Sequence, residues 1–292
     1  MMGDLAAEFA RAVVSDEGLA SSALVIARLD CPQLDPAPYL RRLDEMGATA
    51  RARLHTARRS RPLSRQEAVA VLNAYLFDDL RLWSDPDGDD DPRNSFLNEV
   101  LDRRVGIPIM LGVVYIEVAR RAGIRIEGIN FPGHFLLLCP ADQGEEWSSA
   151  GLVLDPLEAG APLSERECRE ILHERLGGQV DFHPALLAPA TKQQILARLL
   201  VHLKRVYVGM RSFPQARDVT RLLLAINPST STELRDRGLL AYHLRDFPAA
   251  LRDLEAYLRL ARSEEPDRDD REEREQIWEH VKTLRRRVAS LN

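Results

Sequence analysis

The C-terminal third of the chain repeats itself with a period of 34 residues. When the segment that begins at Ala197 is shifted by this period, it meets the segment that begins at Ser231. The shift superimposes like residues along both copies: Leu200 on Leu234, Arg211 on Arg245, Phe213-Pro214 on Phe247-Pro248, Ala216 on Ala250 and Leu224 on Leu258. A unit of this length buries its apolar face only against a neighbour. The pattern therefore predicts two antiparallel helix pairs over residues 195–262.

A period of 34 residues is that of the tetratricopeptide repeat, a helix-turn-helix unit. Tyr207, Ala216 and Pro228 fall on the typical Tyr, Ala and Pro positions of this repeat. Four apolar residues mark a final helix that can cap the stack: Ile277, Trp278, Val281 and Leu284. We expect a tetratricopeptide-like helical domain over residues 190–292, with a protein or peptide partner bound through the repeats.

The N-terminal part, from residue 4 to about 83, has apolar residues at helical spacing, with prolines between the predicted helices. An acidic loop, SDPDGDDDPR, follows at 84–93 and superficially suggests calcium. An EF-hand loop needs glycine at its sixth position, whereas counting from Asp85 puts Gly88 fourth. The segment is better interpreted as a solvated loop.

A buried helix followed by strands is predicted in the centre of the chain. The segment 109–121 is apolar on most faces, Pro108 suits the first helical turn, and Gly123 suits the C-cap. Three short strands are expected, at 124–129, 134–139 and 152–154. A helix followed by such strands predicts an α+β fold in which an antiparallel sheet packs on the helix.

Two residues at these strands, His134 and Asp155, have side chains suited to general-base catalysis. A nucleophile at the start of the 109–121 helix would gain from unpaired backbone N–H groups and from the helix dipole. His134, expected on a neighbouring strand, can deprotonate such a nucleophile, and Asp155 can hold the imidazole in orientation. From the residues alone, the alternative is a buried hydrogen-bonded pair that orders the sheet.

The order of these residues resembles the transglutaminase-like superfamily, whose pattern is Gly-x-Cys opening a helix, Arg-x-x-Gly, a strand histidine and Asp-Pro. The chain is still more similar to the SirB-type bacterial family, which joins such a domain to tetratricopeptide repeats. The likeness is carried by LDPAPY (34–39), PRNSFLN (92–98), RRVGIPI (103–109), VYIEVARR (114–121), GINFPGHF (128–135) and LDP (154–156). It implies a papain-like core of a helix plus an antiparallel sheet over residues 1–185, with a helical part at 1–90.

The superfamily pattern falls on Gly106 before the nucleophile, Gly112 one turn into the helix, Arg120 and Gly123, His134, and Asp155. Pro108 falls where the cysteine is expected. Since proline has no nucleophilic side chain, the resemblance implies a retained His134–Asp155 pair without cysteine chemistry at that position.

No other residue is an evident replacement for the missing cysteine. Cys139 lies five residues after His134 on the same expected strand, and an odd offset points the two side chains to opposite faces. Neither Cys31 nor Cys168 has a spacing that implies proximity to His134, so buried structural thiols are favoured. Ser95 is a conceivable substitute, but we favour a helix-capping role for its hydroxyl.

The stretches that carry the resemblance also contain the residues that we expect to bind a ligand: Asn94, Ser95, Asn98, Arg103, Gly106 and Glu117. Glu117 lies in an apolar helix and needs a partner if it is buried. The pair Arg103-Arg104 suggests phosphate binding, although a solvated helix end is the favoured interpretation.

Composition narrows the remaining function classes. The net charge is only -5 with 29% charged residues, and no basic stripe appears, so neither nucleic acid nor membrane is an expected partner. Three cysteines without CxxC, and histidines without HExxH spacing, predict no disulfide framework, metal or cofactor. The apolar runs are too short to span a bilayer and the N-terminus is acidic, so a cytoplasmic location is expected.

Three hypotheses about function follow from the sequence. The first is a binding or regulatory protein that has no cysteine-dependent catalysis and engages a protein or peptide. The alternative is an amide-bond hydrolase or peptidase that uses His134 and Asp155 with a non-cysteine nucleophile. A purely structural scaffold is weaker, because a scaffold does not need a His–Asp pair.

Overall fold

The computed structural model describes residues 2–58, 61–85, 88, 90–141, 151–261 and 268–289. These residues are mostly helical and include one small antiparallel sheet, which confirms the predicted α+β class. The chain forms two compact units, residues 12–199 and residues 1–11 together with 200–292. The domain limits expected from the sequence, 1–185 and 190–292, stay a prediction.

Twelve helices are present among the described residues, numbered here in chain order. They are α1 Met2–Val14, α2 Leu19–Ala27, α3 Ala37–Ala57, α4 Arg65–Asn73, α5 Leu97–Arg103, α6 Pro108–Ala122, α7 Glu165–Leu176, α8 Lys192–Gly209, α9 Phe213–Ile226, α10 Ser231–His243, α11 Phe247–Leu260 and α12 Arg268–Ala289. Helix α4 continues into a π-helical turn, Ala74–Asp79, and a 3-10 turn, Pro92–Ser95, precedes α5.

The sheet of residues 12–199 has four antiparallel strands in sequential order. They are β1 Glu127–Ile129, β2 Leu136–Pro140, β3 Gly151–Asp155 and β4 Ala161–Leu163. The sequence pattern predicted only the first three. Strand β4 has three residues and carries Pro162 on an edge of the sheet. So short a strand with a central proline has no period-2 signal to detect.

Two predicted strands begin later than the sequence indicated. Residues 124–126 were expected in β1, but the Ile124 amide donates to the Ala119 carbonyl at 2.9 Å and so still belongs to the end of α6. His134 was expected in β2 and instead lies in the turn before it. Gly133 there has φ +70°, and the His134 amide donates to the Phe131 carbonyl at 3.1 Å. The closed turn keeps His134 out of the strand ladder.

Helix α6 is the centre of this unit, as its apolar sequence predicts. Pro108 occupies its first turn and Gly123 ends it with φ +86°, so both expected boundaries are confirmed. Gly112 faces the ring of Phe135, and Gly128 on β1 lies against the same ring. A side chain on Gly112 would collide with that ring. The two glycines therefore let helix and sheet close tightly around Phe135.

The opposite side of α6 carries a buried carboxylate. Glu117 is 1% exposed and accepts from Arg120 Nη2 at 3.0 Å, from Arg121 Nη1, and from the Ala20 amide of α2 at 3.2 Å. Arg121 also pairs with Asp44 of α3 at 2.6 Å. Burial alone would raise the pKa of Glu117, but these hydrogen bonds outweigh it and lower the pKa overall. Glu117 thus joins α2, α3 and α6.

The second unit contains the repeat helices α9, α10 and α11, the C-terminal part of α8, and α12. Ala216 on α9 and Ala250 on α11 are fully buried at equivalent positions of the two repeats. Gly238 on α10 lies so close to Leu254 of α11 that a Cβ would be 2.7 Å from Leu254 Cδ2. Ile277, Val281 and Leu284 of α12 join the same apolar cluster. The predicted tetratricopeptide-like helix pairs with a terminal helix are confirmed.

None of the helices in the described part of the chain is both long enough and apolar enough to cross a membrane.

We predict that Gly112→Ala destabilises the protein by about 1–3 kcal/mol, because the added methyl group forces the Phe135 ring out of its place between helix and sheet. The free energy of unfolding is measured by urea denaturation. Gly209→Ala is the matched control, since no atom lies within 4 Å of the added methyl group there. Equal stability of the two variants would show that the sheet can yield at Phe135.

We also predict that Glu117→Gln lowers stability at neutral pH by about 3 kcal/mol, because the largely buried Arg121 loses the charge partner that it has in the core. The folded-state pKa of Glu117 is lowered. Its contribution is therefore complete above the unfolded-state pKa of about 4.5 and is lost as pH falls through the folded-state value.

The measurement is the unfolding free energy between about pH 3 and pH 7, a range set by the carboxylate pKa. The variant should lose less stability on acidification than the wild type. Glu170→Gln is the control, because Glu170 belongs to an exposed pair with Arg166 and such pairs contribute little. A Glu117→Gln protein with the same acid sensitivity as the wild type would contradict the assignment.

Candidate functional site

His134 and Asp155 form a close buried pair. The Nε2 atom of His134 lies 2.9 Å from each carboxylate oxygen of Asp155, so Nε2 carries the hydrogen that it donates. The residues are 5% and 3% exposed. Asp155 ends β3, and its Oδ1 also accepts from the Leu157 amide at 2.9 Å. The expected hydrogen-bond contact is confirmed, although its histidine comes from a turn rather than from a strand.

A catalytic triad would also need a nucleophile on the other ring nitrogen of His134. The start of α6 offers none, because Pro108 is its first residue. The preceding Ile107 amide donates to the Asn94 carbonyl at 3.1 Å, which brings residues 94 and 95 beside this helix end. The local geometry is that of a histidine oriented by a carboxylate, with a proline at the adjacent helix start.

The three cysteines occupy unrelated places. Cys139 is buried on β2 and Cys168 on α7, as expected, but Cys31 is exposed after α2, so the expected burial is wrong there. Burial, together with the negative charges of Glu167 and Asp155, raises the pKa of Cys168 to about 11. A thiol with this pKa is protonated at neutral pH and is a poor nucleophile. Cys168 packs in an apolar cluster with Phe131 and Leu136, which its position in the sequence did not indicate.

Two of the expected binding residues are used within the protein. Asn94 donates from Nδ2 to the Gly88 carbonyl at 2.8 Å and accepts from Arg103 Nη1 at 3.1 Å. Arg103 also lies 3.6 Å from Asp91. These contacts tie the acidic loop to α5. Arg103 therefore pairs with a carboxylate and an amide of its own chain instead of being solvated at the helix end as expected, whereas Arg104 is exposed.

Gly106 is required for packing and for a backbone contact. Its amide donates to the Trp83 carbonyl at 3.1 Å, and a Cβ at this position would lie 2.9 Å from a methyl group of Val100. Glu117, the remaining charged candidate, lies in the network with α2 and α3 described above. The structure therefore does not bring all the expected binding residues together in one place.

Ser95 and Asn98, unlike Asn94 and Arg103, each have a buried polar atom without a hydrogen-bond partner among the described residues. Ser95 was expected to cap a helix, but Phe96 occupies the N-cap of α5, and Ser95 sits one residue earlier in the 3-10 turn. The capping prediction is therefore wrong. The Oγ of Ser95 and the Oδ1 of Asn98 are buried without a hydrogen-bond partner among the described residues. Such groups are costly unless something else satisfies them.

Asn130 was missed by the sequence analysis. Its Oδ1 is also buried and has no hydrogen-bond partner in the described part of the chain. Asn130 lies in the stretch GINFPGHF, four residues before His134, and this position could have marked it as a candidate site residue. No group of three or more His, Cys, Asp and Glu residues suited to hold a metal ion occurs among the described residues.

We predict that Asp155→Ala destabilises the protein by about 1–3 kcal/mol, because it leaves the buried Nε2–H of His134 and the Leu157 amide without an acceptor. Asp155→Asn keeps one acceptor oxygen and should cost less. Urea denaturation gives both values, and Asp181→Ala, at an exposed position, serves as the control. If Asp155→Ala matches this control, the pair does not stabilise the fold.

Comparison with known proteins agrees with this architecture. A transglutaminase-like superfamily model matches residues 37–201, and a tetratricopeptide repeat model matches residues 203–279. A UPF0162 protein of Xylella fastidiosa is 39% identical over 254 residues, which cover 85% of this chain and 86% of the relative. A UPF0162 protein of Pseudomonas aeruginosa is 32% identical over 248 residues, 83% and 84% of the two chains.

Protein SirB1 of Salmonella typhimurium is 27% identical over 163 residues, which cover 56% of this chain and 58% of that protein. No solved structure matches the chain. The superfamily model alone spans more than half of the sequence, and the alignments with the two UPF0162 proteins each cover more than four-fifths of it. The chain therefore belongs to the transglutaminase-like superfamily, in the SirB-type family that adds C-terminal tetratricopeptide repeats to such a core.

Proposed function

We propose that this protein is a binding or regulatory protein without cysteine-dependent catalysis, which engages a protein or peptide partner. The observation that carries the proposal is Pro108 in the first turn of α6. This is the position at which the superfamily pattern has its cysteine. A pyrrolidine ring there removes both the thiol and a backbone N–H at a helix end that would otherwise favour a thiolate.

The other thiols support the same proposal. Cys139 and Cys168 are buried, and the raised pKa of Cys168 keeps its thiol protonated. Cys31 is exposed, but it follows α2 in a turn and has no part in the His134–Asp155 pair. The pair then serves to fix the turn before β2 against the end of β3, which holds this edge of the core in one shape.

We assign ligand contact in the core to the polar groups that lack a partner. Ser95 Oγ and Asn98 Oδ1 lie on the segment that abuts the start of α6. Both atoms are closed to solvent, so a ligand with hydrogen-bond donors, such as a peptide backbone, would satisfy them when this segment moves away from α6. Asn94, Arg103 and Gly106 then act by holding this segment in place through their own contacts, while Glu117 fixes α6 from the opposite side.

The repeats are the proposed site for the protein partner. Tetratricopeptide repeats mediate protein interactions in general, and such a model matches residues 203–279. Val201 and Val208 on α8 are 47% and 44% exposed, and Arg205 is exposed between them. This helix face, with two exposed valines on either side of a cation, can make both apolar and charged contacts with a partner. The proposal includes a cytoplasmic location and requires no cofactor.

An amide-bond hydrolase is the second candidate, and the 2.9 Å contact between His134 and Asp155 favours it. The same pair orients a general base in hydrolases. In that case a hydroxyl replaces the thiol, and Ser95 is the candidate nearest to the start of α6 along the hydrogen-bonded segment. The two functions differ in whether a purified protein turns over amide substrates.

We predict that the purified full chain shows neither transamidation nor thiol-dependent proteolysis, because Pro108 cannot attack a carbonyl group. Turnover is measured with amide substrates before and after alkylation of the cysteines. Pro108→Cys should not restore it, since catalysis also needs donors aimed at the developing oxyanion. Turnover that survives alkylation but disappears in a folded His134→Ala variant would establish the hydrolase instead.

The partner is tested with the same full-length protein. Proteins captured from a lysate of the host cell by the wild type should be retained by Val180→Asp, which adds a charge at an exposed valine outside the repeats. They should be lost by Val201→Asp with Val208→Asp, which places two charges on the exposed face of α8. Retention of every captured protein by this double variant would remove the role assigned to that face.

A further inference from the structure

The last helix, α12, uses only one side for packing. Ile277, Val281 and Leu284 are fully or nearly fully buried in the apolar cluster of the repeat unit. The opposite side is exposed along the described side chains of the helix, and it includes Trp278, whose exposed fraction is 37%. A large aromatic ring on the outer face of a terminal helix is a common anchor of a protein contact.

The charges on this outer side are divided between the two halves of α12. On this side, the described residues of the N-terminal half and the middle carry three carboxylates and one exposed cation, Arg271; the carboxylates are Glu272, Glu275 and Glu279. Lys282, Arg285 and Arg286 follow in the C-terminal half. Trp278 and Glu279 occupy the centre of the helix, which runs from residue 268 to residue 289. Such a helix is complementary to its own copy when the two run antiparallel, because acidic and basic halves then face each other.

A hollow in this surface has the chemistry of a cation site. It measures about 380 Å³ and is lined by Glu272, Glu275, Gln276, Trp278 and Glu279. Three carboxylates and an indole attract an ammonium or guanidinium group. Lys282 Nζ and Arg285 Cζ of the same chain already lie 5.8 Å and 5.5 Å from the Trp278 ring centroid, at the basic end of the same face.

We infer that a second copy of this chain docks on α12, with the two helices antiparallel about a two-fold axis between Trp278 and Glu279. This axis places Glu275 opposite Lys282 of the second copy and Glu272 opposite Arg285 of the second copy. Each contact occurs twice, as in any isologous dimer. The basic end of each helix then enters the acidic hollow of the other, and the two Trp278 rings meet near the axis.

The existing interactions of this face, which include one made by Glu272, are exchanged for contacts with the second copy. Lys282 pairs with Glu279 at 2.7 Å and Arg285 with Glu255 at 2.7 Å, and three of these four side chains are more than two-fifths exposed. Exposed pairs of this kind contribute little, so exchanging partners costs little. Arg271 would face Arg286 of the second copy at the ends of the contact, where solvent screens the repulsion. One helix pair makes a small interface, so the dimer is weak and sensitive to salt.

The test is a charge swap read by sedimentation equilibrium of the full chain at low salt. The wild type should form dimers whose dissociation constant rises with ionic strength. Glu275→Lys alone and Lys282→Glu alone should each raise that constant by about tenfold or more, because like charges then face each other in both symmetric contacts. The double variant restores opposite charges and should dimerise again.

Mixing the two single variants gives the sharpest outcome. In the mixed dimer, the lysine introduced by Glu275→Lys faces the glutamate introduced by Lys282→Glu. The unchanged Lys282 of the first variant likewise faces the unchanged Glu275 of the second, so a heterodimer should form although neither variant pairs with itself. Arg259→Glu, at an exposed position on α11, is the control and should leave the dimer unchanged. Circular dichroism verifies that each variant keeps its helices.

Three results would overturn the inference. The first is a wild type that stays monomeric in low salt at about 100 µM, a concentration at which weak interfaces form. The second is single variants that dimerise like the wild type, and the third is a mixture that forms no heterodimer. A monomeric wild type that binds a lysine-rich peptide, with binding lost in Glu275→Lys, would assign the hollow to a basic partner and remove the self-association.

Discussion

Burial of α6 on nearly all of its faces is the constraint on which the rest of residues 12–199 depends. A helix in this position must meet each neighbour with a side chain suited to it. Toward the sheet it presents Gly112, which leaves room for Phe135. Toward α2 and α3 it presents Glu117, a carboxylate that stays charged because arginines and an amide surround it. Toward α4 it presents Tyr115, whose hydroxyl donates to Asn73 Oδ1 at 2.9 Å.

These contacts of α6 also explain how the His–Asp pair is placed. Asn73 donates onward to the Gly160 carbonyl at 2.8 Å, and the Gly160 amide donates to the Asp155 carbonyl at 2.8 Å. A hydrogen-bonded route therefore runs from Tyr115 of α6 through α4 to the end of β3. On the other side, Phe135 against Gly112 fixes the residue next to His134. The pair is held by the packing of α6 whether or not it performs any chemistry.

Features that depend on residues close together in the sequence could be predicted from it, whereas most contacts between distant segments could not. The repeat period, Pro108 and Gly123 are local signals, and the structure agrees with them. The order of His134 and Asp155 predicted their contact because consecutive antiparallel strands pair. The strand limits were misjudged where turn hydrogen bonds took residues out of the ladder, at Ile124 and His134. Glu117 had its arginine partners three and four residues away in the same helix, a readable signal, whereas its contact with the Ala20 amide depends on tertiary packing.

The His134–Asp155 pair can be present without a thiol at the start of α6, because the pair also has a structural role. A buried histidine and aspartate that satisfy each other stabilise a turn, so loss of either leaves an unpaired polar group in the core. That penalty is independent of catalysis and would keep the pair in a protein that no longer needs a base. A nucleophile at the start of α6 carries no such structural role, and proline at that position favours the helix geometry. Packing alone therefore accounts for a buried His–Asp pair beside a helix that begins with proline.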